Sequence, residues 1–380
     1  MNKKIAVLGS GHGGFAMVAD LSMAGYEVNL YDLPEFSKNL TPIIEKGTIH
    51  LDAHRPSGEE ITLPAGGKTG FVKINGIVST NIKEVLTGVD LIMLVVPAFA
   101  RERFVNEIAP YLRDGQILVV WPAYFGAIQT AKILKDRGIK KDIVICETES
   151  LIYACRKTSS TEVWVRNYKE KLLISTLPAK NIKIVLEELK KIYPGLIAAE
   201  NSLETTLSNC NLVLHPQSFL LNMRRVEEKK VYPYYETLGG PFTRGYDITP
   251  SIAVVMDAVD NERLAIGEKF GLKLLSLREL LGKYYKASGK DLYETVMNCV
   301  SYQLQSGPTS LNHRYVTEDV PFGLVPVVLL GNQINLSVKT MRAIVEIGCT
   351  VKKIDYWKEG LTIEKLGLSN KTPKEILNEI

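Results

Sequence analysis

The chain has 380 residues, 46% hydrophobic and 23% charged, a globular profile with room for two cores. Its 46 basic and 42 acidic residues leave a formal charge of +4, too even for a nucleic-acid partner, and no stripe of Lys and Arg interleaves with aromatics. No stretch approaches the roughly 18 apolar residues a membrane helix needs, so no membrane partner is expected.

Met1-Asn2-Lys3-Lys4 mimics the start of a signal peptide, but the apolar run behind it is only Ile5-Ala6-Val7-Leu8 before glycines break it. It reads as a first strand. Residues 15–24 then read as a helix stopped by Gly25, and residues 27–31 as a second strand. Residues 50–80, rich in Gly, Pro and Thr, read as a β-rich excursion. Residues 90–96, 116–120 and 143–146 are continuous apolar runs, the pattern of strands buried on both faces of a parallel sheet. Helical spacing occupies 100–112 and 127–137 between them. Strands alternating with helices predict an α/β, doubly wound sheet.

Residues 171–175 close the alternation, with a helix at 181–193 and a short strand at 196–199. Helical periodicity dominates afterwards, at 203–222, 251–270, 291–303 and 336–347. The expected organisation is therefore a Rossmann domain over residues 1–200 and a mostly α-helical domain over 201–380. The run Glu227-Glu228-Lys229-Lys230 reads as a solvated helix face. Five scattered cysteines, an odd count with no CxxC pair, predict neither a disulfide framework nor a metal site, and reduced thiols suggest a cytoplasmic setting. Apolar stripes on the later helices permit a homodimer without demanding one.

The strongest local motif is Gly9-Ser10-Gly11-His12-Gly13-Gly14. It follows a strand and opens a helix, and Asp32 ends the next strand 18 residues after Gly14. That is the dinucleotide fingerprint in its context. Gly9 permits the tight turn, Gly11 lets backbone approach a pyrophosphate, and Gly14 lets the helix pack on the strand. The helix N-terminus, with His12 and Gly13, offers N–H groups to the phosphates. Asp32 would accept from ribose hydroxyls and repel a 2′-phosphate, favouring NAD(H). Lys38 nearby leaves NADP(H) open. Pro97, after the fourth strand, belongs to the carboxyl edge of the sheet, where ligands bind.

Of the five histidines, His12 reads as a phosphate-side or packing residue, and His50 and His54 as exposed loop residues. His215 and His313 remain. Imidazole titrates near working pH, so His215, at the start of the helical domain, suits proton transfer during hydride chemistry. Sequence alone leaves that reading level with a core histidine. Arg314 offers a planar fork for a carboxylate. Asp319 has the chemistry to orient a histidine, though spacing does not tie it to His215.

Three elements carry a resemblance: Gly9 to Ala16 as GxGxGGxA, Asn211 to Pro216 as NxxxHP, and Arg314 to Gly323 as RYxxEDVPxG. Glu147-Thr148, Tyr153-Ala154-Cys155-Arg156, Thr249-Pro250-Ser251, Asp260 to Leu264 and Thr362 to Leu368 add to it. Together they span almost the whole chain, which resembles the opine dehydrogenases, the family of octopine and nopaline dehydrogenases and their bacterial relatives. The resemblance implies a proton-handling pair, His215 and Asp319. It implies a carboxylate-binding Arg314, Thr148 near a keto acid, and Asn211 at the substrate site. It also implies reductive condensation of an L-amino acid with a 2-oxo acid such as pyruvate. Ile152 departs from the family's frequent proline, and 232–246, with Gly239-Gly240-Pro241, and 331–337 depart as well. A hydroxy-acid or polyol-phosphate dehydrogenase, whose relatives rely on a lysine where this chain has His215, is the first rival. A non-catalytic NAD(H) sensor is the second.

Overall fold

In a computed structural model, residues 4–228, 248–299, 302 and 310–380 are described. Lys229, Lys230, the stretch 232–246 and the end of the helix expected at 291–303 lie outside the described residues. The chain divides into two compact units, 1–206 with Ile380, and 207–379.

The first unit opens with β1 (Ile5–Leu8), α1 (His12–Met23) and β2 (Val28–Tyr31). The excursion follows as α2 (Thr41–Lys46), β3 (Thr48–Asp52), β4 (Gly70–Lys73) and β5 (Val78–Ser79). Alternation resumes with α3 (Ile82–Leu86), β6 (Leu91–Leu94), α4 (Ala98–Ile108), β7 (Ile117–Val120), α5 (Gly126–Asp136) and β8 (Val144–Thr148). Helix α4 is shorter than its periodicity suggests, because Pro110 falls in the 3₁₀ turn that ends it.

A hairpin, β9 (Tyr153–Ser159) and β10 (Glu162–Tyr168), was not legible in the sequence: its alternation is polar and only half buried. Strand β11 (Leu172–Leu177), α6 (Ile182–Leu189) and β12 (Leu196–Ala198) complete the unit with the first part of α7 (Ser202–Leu207).

Eight strands form one sheet in the order β12-β11-β8-β7-β6-β1-β2-β5. β5, β2, β1, β6, β7 and β8 run parallel, and β11 pairs antiparallel with β8. The apolar runs explain the centre: every residue of β1, β2, β6 and β7 is buried. Strand order reverses about β1, so its carboxyl end, where the glycine motif begins, is a switch point. The excursion and the hairpin form a second sheet, β4-β3-β10-β9.

The first compact unit runs to Thr206. Thr205 and Thr206 donate their hydroxyls to the buried Glu147 carboxylate, which ties most of α7 to the first unit. The single helix expected at 203–222 is two, α7 and α8 (Asn211–Leu220). Asn209 breaks it, its side-chain oxygen accepting from the Asn211 N–H at 3.1 Å.

The second unit continues with α9 (Met223–Glu228), α10 (Pro250–Lys269, capped by Thr249), α11 (Leu277–Tyr285), α12 (Leu292–Met297) and α13 (Arg314–Thr317). A π-helical turn, Asp319–Leu324, leads into α14 (Val325–Gln333). Helices α15 (Lys339–Lys352), α16 (Tyr356–Glu359) and α17 (Pro373–Glu379) follow. Helix α15 starts at 339, not 336, because Asn335 adopts φ 58° and Glu262 caps the Thr340 and Met341 N–H groups. Asp260 and Arg263 form a buried pair whose remaining bonds reach the Leu277 N–H and the Leu207 and Leu275 carbonyls. No helix among the described residues is long and apolar enough to cross a membrane.

Candidate active site

The Rossmann unit builds its ligand edge at the end of β1. Gly9 sits at φ +106°, and a Cβ there would lie 2.6 Å from the Val95 carbonyl. Helix α1 begins immediately after Gly11, which caps it without any side-chain bond. A Cβ on Gly14 would sit 1.8 Å from the Gly9 oxygen, so only glycine lets α1 pack on β1. A Cβ on Gly11 would meet nothing within 4 Å. Open space beside an uncapped helix N-terminus fits the pyrophosphate of a dinucleotide. Gly13 packs instead: a Cβ there would meet the Leu151 side chain at 2.8 Å.

Asp32 lies just past β2 and is buried. Its Oδ2 accepts from the Ser10 N–H at 3.0 Å and from the Ser10 hydroxyl, and its Oδ1 from the Leu33 N–H at 2.8 Å. Asp32 thus fastens the glycine loop to β2, with lone pairs left for a ribose. Lys38 is exposed in the 3₁₀ segment Pro34–Asn39, and Pro97 caps α4 at the carboxyl end of β6. His12 takes the packing option: its Nδ1 accepts from the Lys157 N–H at 2.9 Å, docking β9 on the loop.

His50 and His54 are not the exposed loop residues expected. Both are half buried: His50 lies on β3, 2.8 Å from Glu162 on β10, and His54 lies 2.7 Å from Asp52. They brace the second sheet.

Glu147, on β8, is fully buried, and burial raises its pKa despite bonds from the Thr205 and Thr206 hydroxyls and the Ala127 N–H. Arg101 on α4 adds an opposing pull. This guanidinium, which the sequence reading missed, holds the Ala123 carbonyl at 2.6 Å, the Tyr124 carbonyl at 3.1 Å and Gln129 at 2.9 Å. It fixes the turn after β7. Thr148 is buried, its hydroxyl donating to the Ser150 carbonyl at 2.9 Å.

In the helical unit, His215 lies on α8 and Asp319 opens the π-helical turn. The His215 Nδ1 is 2.5 Å from Asp319 Oδ2, and both side chains are buried. Pro216 removes a donor from α8, and Gln217 Nε2 fills in by donating to the Leu212 carbonyl at 3.2 Å. The Tyr315 ring stacks on the imidazole at 3.6 Å between centroids and 21° between planes, with Phe219 edge-on to Tyr315. The imidazole plane is therefore set by an aromatic face and its tautomer by a carboxylate. Arg314, at the first position of α13, lies 3.8 Å from Glu318 with its side chain nearly half exposed. Asn211 is the first residue of α8, half buried. His313 is a helix cap, accepting from the Tyr315 N–H at 3.4 Å. Where the chain departs from expectation at 331–337, Gln333 donates to the Leu368 and Lys371 carbonyls. No group of His, Cys, Asp and Glu suited to a metal occurs among the described residues.

The family model for the α-helical domain of NAD/NADP octopine/nopaline dehydrogenases matches residues 198–352. The chain is similar to an opine dehydrogenase of Arthrobacter sp. (strain 1C), 33% identical over 100% of this chain and 99% of that one. An octopine dehydrogenase of Mizuhopecten yessoensis is 26% identical over 86% of this chain and 84% of its own. A solved octopine dehydrogenase with NADH and L-arginine shares the fold at a TM-score of 0.77 and 20% identity, covering 99% of this chain and 98% of that one. Another, with NADH and pyruvate, superposes at a TM-score of 0.69 and 19% identity, over 100% and 99%. With a dinucleotide cradle in one unit, a buried His–Asp pair in the other and these relatives across its full length, the chain belongs to the opine dehydrogenase family, NAD(P)-dependent oxidoreductases acting on CH–NH groups.

Proposed function

We propose that this protein condenses the amino group of an L-amino acid with pyruvate or a close 2-oxo acid and reduces the resulting imine, giving an N-(1-carboxyalkyl) amino acid. The observation that carries the reading is the buried His215–Asp319 pair. The solved relatives hold NADH with L-arginine or with pyruvate, and they supply the substrate class.

The bound dinucleotide supplies the hydride. Gly11 and the N-terminus of α1 would hold its pyrophosphate and Asp32 its adenosine ribose. Nδ1 is engaged by Asp319, so the proton transfers are assigned to the other nitrogen of His215, Nε2. It donates to the keto oxygen, which makes the carbonyl carbon a better target for the amine. It then accepts a proton from the attacking amine nitrogen, and the carbinolamine loses its hydroxyl as water to leave the imine. The Asp319 carboxylate stabilises the imidazolium. Arg314 binds a substrate carboxylate through its planar fork, and Asn211 and Thr148 flank the substrate. Holding both reactants replaces a bimolecular encounter with a positioned one. The proposed setting is cytoplasmic and reducing, where five scattered cysteines with no CxxC pair would stay thiols.

The direct test follows NADH oxidation by absorbance with pyruvate, with and without pooled L-amino acids. Oxidation only when both are present is the expected result, and splitting the pool names the amine. Oxidation with the keto acid alone would replace this reading with a hydroxy-acid dehydrogenase.

A further inference from the structure

Strand β9 is docked on the glycine loop at two points: the Lys157 N–H donates to His12 Nδ1 at 2.9 Å, and the Cys155 thiol donates to the His12 carbonyl at 3.4 Å. The Lys157 side chain turns over the first turn of α1, with Nζ 3.5 Å from the centre of the Phe15 ring. Among the described residues no carboxylate lies within 4 Å of this ammonium. Burial pushes its pKa down to about 8, with the more distant Asp32 pulling the other way.

A half-buried cation whose one close partner is an aromatic face is poorly compensated. Its neighbour is a helix N-terminus, which carries partial positive charge of its own. Both positive features belong to the first turn of α1, which begins directly after Gly11. That arrangement favours an anion, and the phosphates of the dinucleotide are the anions this edge of the sheet receives.

We propose that Lys157 is a ligand for a phosphate group of the bound dinucleotide, reaching it from the β9–β10 hairpin rather than from the Rossmann strands. Gly11 and α1 present N–H dipoles, and Lys157 adds the full charge that the glycine loop lacks. The phosphate is either the pyrophosphate common to NADH and NADPH or the 2′-phosphate of NADPH, and the two make different predictions.

The experiment measures dissociation constants of NADH and NADPH by calorimetry for the wild type, Lys157→Met and Lys157→Arg, with thermal melting to check the fold. Lys157→Met is expected to weaken binding about 10- to 100-fold, the scale of a charge-assisted hydrogen bond, and Lys157→Arg only a few-fold. Loss for both dinucleotides assigns Lys157 to the pyrophosphate, and loss confined to NADPH assigns it to the 2′-phosphate. Unchanged affinity for both in a folded Lys157→Met protein would overturn the proposal. If that variant does not fold, Lys157→Gln carries the same comparison. Wild-type protein that binds neither dinucleotide would overturn the cofactor site itself, and this proposal with it.

Discussion

The His215 Nδ1 and Asp319 Oδ2 meet at 2.5 Å across 104 residues of chain, both buried within the helical unit. A carboxylate on Nδ1 fixes the tautomer, and the proposed mechanism assigns proton transfer to Nε2. His215→Ala should lower the condensation rate by roughly 10²–10⁴, the usual range for an acid–base group, with little change in NADH affinity. Asp319→Asn should lower the rate as well, through the wrong tautomer. Single-turnover rates and NADH dissociation constants measured on the same preparations check both. A near-wild-type rate in His215→Ala would remove it from the mechanism.

Arg314 has its side chain nearly half exposed and Glu318 3.8 Å away. Arg314→Ala should raise KM for one of the two carboxylate substrates while kcat changes less. An unchanged KM for both the amino acid and the keto acid would make Arg314 a structural residue of α13.

Gly11 and Gly14 separate ligand binding from folding. Gly11→Ala puts a methyl into open space at an ordinary φ of −73°, so stability should shift by no more than about 0.5 kcal/mol while dinucleotide affinity drops. Gly14→Ala drives a methyl against the Gly9 carbonyl and should cost about 3 kcal/mol or more. Chemical denaturation beside an NADH titration distinguishes them, and equal loss of stability in both would contradict the open cradle.

Asp32 fastens the glycine loop, and the proposed function also gives it the cofactor's ribose. Asp32→Asn should shift the NADH-to-NADPH affinity ratio toward NADPH by about 10-fold, because the negative charge facing a 2′-phosphate is gone. It should also lower the melting temperature, since the bonds from Ser10 and Leu33 lose a charged acceptor.

Glu147 carries a pH dependence of known sign. Burial raises its folded pKa above the ordinary value of 4.5, so between the unfolded and folded values the native state binds more protons than the unfolded chain. Its contribution to stability is therefore complete below about pH 4.5 and declines as pH rises through the folded value. Wild type minus Glu147→Gln, compared by denaturant unfolding across pH, should fall as pH rises. A flat difference would show that Glu147 keeps an ordinary pKa.

Much of the candidate cofactor site is legible because its determinants are local. Gly9, Gly11 and Gly14 follow an apolar run and precede a helix, and Asp32 ends the next run; short-range sterics and a helix dipole dictate that spacing wherever it occurs. The apolar strands β1, β2, β6 and β7 were legible for the same reason: burial on both faces leaves an unbroken hydrophobic signal.

What only the tertiary structure decided is long-range and polar. Asp319 reaches His215 because α8 and the π-helical turn pack together, and no periodicity encodes a pairing across 104 residues. Arg101 and Lys157 escaped notice because a lone cation in sequence gives no sign whether it will hold backbone carbonyls or stand over a phenyl ring. Thr205 and Thr206 belong to the first unit because their hydroxyls satisfy a carboxylate on β8. Sequence by itself determined where the backbone repeats and where it must turn, since those depend on neighbouring residues. The partner of each buried charge was left to the fold, since desolvation penalises an unpaired charge wherever its partner lies in the chain.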